Sequence, residues 1–162
     1  MTQHQRRVFS YIYTLVPEFL LRFIVWMLMH TVYRLEIRGI ERLPDSGPAV
    51  IACNHVSFVD ALILTAASRR PIRFIMDHRI FAMPVLGTLF RLCKAIPIAP
   101  RRDDPAAYAA AFEEAGRVLD DGDLLCIFPD GTITHDGRLG EFKGGIMKIL
   151  ATHPVPVVPM AL

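Results

Sequence analysis

A chain of 162 residues with 18 basic and 16 acidic side chains carries a net charge of only +2, and its basic residues are scattered, which argues against a nucleic-acid partner. Its 52% hydrophobic share and mean hydropathy of +0.35 are high for one soluble domain of this size. Cys53, Cys93 and Cys126 lie inside apolar stretches without Cys-x-x-Cys spacing, which fits buried thiols in a reducing compartment better than a disulfide framework or a zinc site.

The excess apolarity is concentrated near the start. Residues 8–33 are mostly apolar and aromatic, interrupted by Pro17-Glu18 and by Arg22. The longer half, Phe19 to Tyr33, spans about 22 Å as a helix, short of a hydrocarbon core of about 30 Å. The segment lacks a small-residue cleavage site, so a cleaved signal peptide is not expected. It reads as a helix or helical hairpin lying in a membrane interface, with Arg6, Arg7, Arg22 and Arg34 toward anionic headgroups. The competing reading is a helix packed on its own domain.

Residues 34–40 alternate polar and apolar and predict a half-exposed strand, followed by a turn at 43–48. The short apolar run 49–53 predicts a buried strand, and a helix over about 58–68 follows with Ser57 as its N-cap. Residues 72–76 predict a strand, and the stretch to Cys93, containing Pro84 and Gly87, is mixed. A strand over 96–99 comes next. Asp104-Pro105 opens the clearest helix, about 105–120, which ends at Asp121-Gly122. A strand over 124–128, a Gly-rich polar loop, a helix over 144–152 and a final strand over 155–162 complete the chain. Strands alternating with helices predict an α/β fold, a mostly parallel central sheet covered by helices, preceded by the N-terminal membrane-associating helical segment. The expected units are that segment, 1–34, and a globular domain, 35–162.

Two clusters carry chemistry. Asn54-His55-Val56-Ser57-Phe58-Val59-Asp60 follows the first buried strand, and the carboxyl ends of strands are where open α/β sheets place reactive groups. Residues five apart on a helix point about 140° away from each other, so His55 and Asp60 can meet only if the chain turns between them. Asp60 would then fix the imidazole tautomer while the other ring nitrogen takes a proton from a hydroxyl. Phe128-Pro129-Asp130-Gly131-Thr132 follows a second apolar run, 124–127; taken alone, Asp130-Gly131 is a turn in which glycine supplies a positive φ. No Gly-x-Ser-x-Gly elbow, P-loop or dinucleotide fingerprint is present. His135-Asp136 and Asp77-His78 are adjacent pairs rather than a metal-ligand set.

Together the two clusters resemble the glycerolipid acyltransferases, the 1-acylglycerol-3-phosphate acyltransferases and their lysophospholipid-acylating relatives. The family's Asn-His-x-x-x-x-Asp block is matched by Asn54, His55 and Asp60, and its Phe-Pro-Glu-Gly-Thr block is matched except that Asp130 replaces Glu. Ala95-Ile96-Pro97-Ile98 leading to Arg101 and Arg102 resembles the second block, and Val155 to Pro159 the fourth. The ordered blocks cover roughly residues 35–162.

The resemblance implies transfer of a fatty acyl group from acyl-CoA or acyl carrier protein to the free hydroxyl of lysophosphatidic acid or lysophosphatidylethanolamine, with no bound cofactor or metal. It implies His55 as general base and Asp60 as its orienting partner. It places Asn54, Asp130, Gly131 and Thr132 toward substrate and Arg101 and Arg102 on phosphate, with Arg138 and Lys143 as alternates. Many members carry arginine where this chain has Ile133, and the Ile133–Gly137 loop looks more like the subgroup acylating lysophosphatidylethanolamine. Oxyanion donors are expected either around Gly131 and Thr132 or at the helix start after His55. The expected location is the cytoplasmic face of the cell membrane. Because the chain stops inside its fourth block, the domain is expected to be truncated at its C-terminus. The competing functions are an inactive membrane-docked lipid-binding domain and an acyl thioesterase.

Overall fold

The computed structural model describes residues 18–134 and 140–162. Five strands form one sheet: β1 (Ala49–Cys53), β2 (Ile72–Asp77), β3 (Ile96–Ile98), β4 (Leu124–Ile127) and β5 (Val157–Met160). They are ordered β3-β2-β4-β1-β5, and every pairing is parallel. The α/β sheet expected from the sequence is present.

The two central strands, β4 and β1, are apolar along their whole length because both faces are covered, and nearly every residue in them is buried. On one face Ile51, Cys53, Phe74 and Cys126 pack with Leu64 of α2 (Asp60–Ala67) and Phe90 of α3 (Pro84–Leu92). On the other, Val50, Ile75 and Leu125 pack with Ala111, Ala115 and Leu119 of α4 (Pro105–Asp120) and Ile149 of α5 (Gly145–Thr152). The alanine-rich face of α4 lets it approach the sheet closely. Asp104 caps its start, accepting from the Ala107 N–H at 2.9 Å, and Pro105 occupies the first turn where a missing N–H is harmless.

Three expectations are corrected. Residues 34–38 form no regular secondary structure and join no sheet among the described residues: Leu35 packs against the helices while Ile37 is exposed, so the alternation marks a half-covered linker. The stretch before Cys93, read only as mixed, holds a 3-10 turn (His78–Ala82) and α3, which Pro84 opens in its first turn. Gly87 belongs inside α3 because a side chain there would strike the backbone of Phe81 at 2.4 Å. Third, Ser57 does not cap α2, which begins at Asp60 after Val59; the Ser57 carbonyl instead accepts the Asp60 N–H at 3.2 Å.

The N-terminal helix, here αN (Glu18–Val32), buries Leu21, Val25 and Met29. Val25 and Met29 pack with Ala66 of α2. The remaining apolar side chains of αN, among them Phe19, Phe23, Ile24, Trp26, Met27 and Leu28, are exposed. The reading as a helix packed on its own domain holds for one stripe, while the opposite face stays bare. No helix among the described residues is long and apolar enough to cross a membrane. Arg6, Arg7 and the first half of the expected hairpin lie outside the described residues.

Candidate active site

The chain leaves β1 through Asn54 and turns before α2, so that His55 and Asp60 meet as their spacing requires. His55 Nδ1 lies 2.9 Å from Asp60 Oδ2, and the same oxygen accepts the N–H groups of Val56 at 2.7 Å and Ser57 at 2.9 Å. Asp60 is 1% exposed, so these bonds replace the water it gives up. A carboxylate oxygen already taking two amide protons can only accept again. The Nδ1 therefore carries the imidazole proton, and Nε2 presents its lone pair.

Two further contacts fix the ring. Phe128 stacks on it with centroids 4.2 Å apart and planes 23° from parallel. Thr134 holds the backbone beneath, its N–H and Oγ1 donating to the His55 carbonyl at 2.8 and 3.2 Å. Neither role was legible in sequence: the phenylalanine stood out only as part of a block, and Thr134 gave no signal.

Asp130 is 3% exposed and lies beside the histidine, with Oδ2 accepting weakly from the His55 N–H at 3.4 Å. Its Oδ1 is buried without a hydrogen-bond partner among the described residues. Gly131 does adopt the positive φ, +62°, of a turn glycine. It has a second reason to lack a side chain, because a Cβ would stand 2.8 Å from the Lys143 ammonium, which lies across it. Lys143 is anchored by its own N–H on the Pro129 carbonyl at 2.8 Å. Gly140 likewise approaches Asp130 more closely than a side chain would allow, so residues 140–143 fold back over the Pro129–Gly131 turn.

Asn54 faces the frame of the sheet rather than the histidine. It exchanges two hydrogen bonds with Leu162, Nδ2 to the carbonyl at 3.1 Å and Oδ1 from the N–H at 2.9 Å, extending the β1–β5 pairing by one step. Arg101 and Arg102 occupy an exposed turn beyond β3, three strand spacings or roughly 14 Å to the side of β1. Arg102 pairs there with its neighbour Asp103 at 3.3 Å. Arg138 and the His135-Asp136 pair lie outside the described residues.

One of the two expected oxyanion sources is spoken for. The amides of Val56 and Ser57, at the start after His55, are both taken by Asp60, and the Gly131 N–H closes its own turn on Phe128 at 3.0 Å. The thiols are also poor nucleophile candidates. Cys53 is pushed up to about 12 by burial and then by the negative charges of Asp60 and Asp130, and Cys126 is raised by complete burial. Among the described residues no group of His, Cys, Asp and Glu is arranged to hold a metal.

Residues 34–162 match the family model described as Acyltransferase. The chain belongs to that acyltransferase family. It is 36% identical over 131 residues to the chloroplastic 1-acyl-sn-glycerol-3-phosphate acyltransferase of Brassica napus, covering 80% of this chain and 37% of that protein. A chloroplastic counterpart from Arabidopsis thaliana is 35% identical over the same share of this chain and 36% of its own. The Pseudomonas aeruginosa enzyme of the same name is 28% identical over 92% of this chain and 57% of its own. The chain thus spans between about a third and three fifths of the length of these relatives. The fold is that of the crystal structure of the 1-acyl-sn-glycerophosphate acyltransferase PlsC from Thermotoga maritima, with a TM-score of 0.68 at 20% identity over 98% of this chain and 61% of that one. The resemblance drawn from the ordered blocks is therefore a family relationship.

Proposed function

We propose that this domain transfers a fatty acyl group from a thioester, acyl-CoA or acyl carrier protein, to the free hydroxyl of a lysophospholipid. The observation that carries the reading is the bond between His55 Nδ1 and Asp60 Oδ2 at 2.9 Å, which leaves Nε2 as a positioned base. Lysophosphatidic acid is the preferred acceptor in this reading, because it is the substrate in the names of the relatives. Lysophosphatidylethanolamine is the second, favoured by Ile133 where many family members carry arginine.

Nε2 takes the acceptor's hydroxyl proton as its oxygen attacks the thioester carbonyl. A tetrahedral oxyanion forms, the C–S bond breaks, and the imidazolium returns the proton to the leaving thiolate. A positioned base of this kind contributes roughly 10²–10⁴-fold. Asp60 stabilises the imidazolium formed in the first step. The Thr132 and Ile133 amides, which no group among the described residues accepts, are assigned to the oxyanion. Asp130 Oδ1 is assigned to a polar group of the acceptor. Lys143, on the histidine's side of the sheet, is assigned to phosphate, while Arg101 and Arg102 remain candidates for a headgroup or donor phosphate reaching the far end of the same carboxyl edge.

The same proposal takes residues 1–34 as the membrane-associating segment and 35–162 as the acyltransferase domain. The exposed apolar face of αN supports the first and the family match from residue 34 the second. The cytoplasmic face of the cell membrane is the proposed location.

The test is thioester cleavage and acyl transfer by the intact protein, with and without a panel of lysophospholipids and monoacylglycerol, using both donor carriers. His55→Ala is expected to abolish transfer while leaving folding and membrane binding intact. Near-normal turnover by that variant would remove His55 from the mechanism. Cleavage indifferent to acceptor would make the protein a thioesterase, and lipid binding without cleavage a docking domain.

A further inference from the structure

Arg22 is half-buried on αN, and no carboxylate among the described residues meets it. Its Nη2 donates to the Ser68 carbonyl at 3.1 Å, and its Nε is buried without a partner among the described residues. The carboxylate one turn earlier, Glu18, is held by Arg73 at 2.8 Å. Residues 1–17 contain no Asp or Glu that could serve instead. Beside Arg22 opens a cleft of about 220 Å³, lined by Phe19, Phe23, Trp26, Thr65 and Ser68 as well as by Arg22 itself. Its rim is aromatic and open, with Phe19 72% and Trp26 47% exposed. Arg69, next to Ser68, is exposed and adds positive charge.

A cationic N–H left unpaired in a partly dry cleft is unfavourable, so the position calls for an anion from outside the chain. The guanidinium fork matches the two free oxygens of a phosphodiester, and with Arg69 beside it the cleft favours a headgroup whose phosphate charge is not offset by its own ammonium, as it is in phosphatidylcholine. The surrounding tryptophan and phenylalanines have the shape and polarity that settle at the headgroup level of a bilayer. We propose that this cleft binds the phosphodiester of an anionic phospholipid in a bilayer, with Arg22 on the phosphate and Phe19, Phe23 and Trp26 entering the interface around it. The inference rests on the reading of αN as membrane-associating and refines it: the helix grips one headgroup instead of relying on apolar contact alone.

Trp26 is the chain's single tryptophan, so its fluorescence reports the cleft directly. The intact protein is titrated with phosphatidylglycerol vesicles, phosphatidylcholine vesicles and inorganic phosphate, as wild type, Arg22→Gln and Arg22→Lys. Wild type is expected to bind phosphatidylglycerol more tightly, with a blue-shifted Trp26. Arg22→Gln should weaken that binding about tenfold, the loss expected for one charge-assisted contact, while sparing phosphatidylcholine, and Arg22→Lys should recover part of the preference. Quenching of wild-type Trp26 by brominated lipid gives the same comparison without a variant, and stronger quenching by phosphatidylglycerol is expected. Equal loss on both lipids, no effect of Arg22→Gln, equal quenching, or the same Trp26 shift with inorganic phosphate would overturn the site. A wild type that binds neither vesicle would sink the membrane reading beneath it, and acyl transfer, measured separately, bears on neither.

Discussion

Three donors converge on one oxygen of Asp60, and that convergence separates two substitutions there. In Asp60→Asn the amide oxygen can keep all three bonds, so the turn and the imidazole tautomer survive while the charge that stabilises an imidazolium is lost. Acyl transfer is expected to fall about 10–100-fold, less than for removal of the base, with stability near wild type. Asp60→Ala leaves the half-buried Val56 and Ser57 amides without their acceptor and should destabilise by about 2 kcal/mol in urea unfolding. An alanine variant as stable as the asparagine variant would contradict this account of the turn. Cys53 gives a pH prediction of definite sign. Its folded-state value, pushed up to about 12, lies above the unfolded thiol's 9.0, so its contribution to stability is complete below pH 9 and is lost as pH rises toward 12. The urea midpoint should decline above about pH 9, and Cys53→Ala should flatten that decline. Identical pH profiles for the two proteins would exclude it. The His55–Asp60 pair was legible because its spacing admits only a turn; the crowding around Gly131 was not, because Lys143 reaches it from twelve residues away.

Elements were readable where local chemistry agreed with packing. In α4, Asp104, Pro105 and a run of alanines all favour a helix, and the observed bounds follow the expected ones. Because Asp104 accepts from Ala107 and lies away from the histidine, Asp104→Ala should remove about 1 kcal/mol and lower Tm by about 2–4 °C without altering turnover below the transition. An unchanged melting curve would show that the cap contributes nothing. The stretch 78–92, with Pro84 and Gly87, gave no single period; proline is acceptable in a first turn, and Gly87 answers to the Phe81 backbone rather than to helix propensity. Residues 34–38 show the opposite error. Alternation signals one covered face and one wet face, but a strand also needs a partner, and none is supplied among the described residues.

Across the whole molecule, Arg73 ties distant segments together. Its side chain, 8% exposed, meets Glu18 of αN at 2.8 Å and Asp123 before β4 at 3.2 Å, and donates to the Cys93 carbonyl at 3.3 Å. Arg73→Leu should destabilise by about 2–3 kcal/mol, below the full loss for a buried pair because both carboxylates are partly solvated, and should free the start of αN to protease. Full stability with an equally protected αN would refute the tie. The sequence by itself determined the α/β class, the central strands and the meeting of His55 with Asp60, because apolar runs, caps and a five-residue spacing are local and leave few alternatives. Only the tertiary structure decided that the Val56 and Ser57 amides are spent on Asp60, that Asn54 closes on Leu162 and that Arg101 and Arg102 stand at the far edge of the sheet. Those facts depend on strand order and on contacts between residues far apart in the chain, which periodicity does not encode.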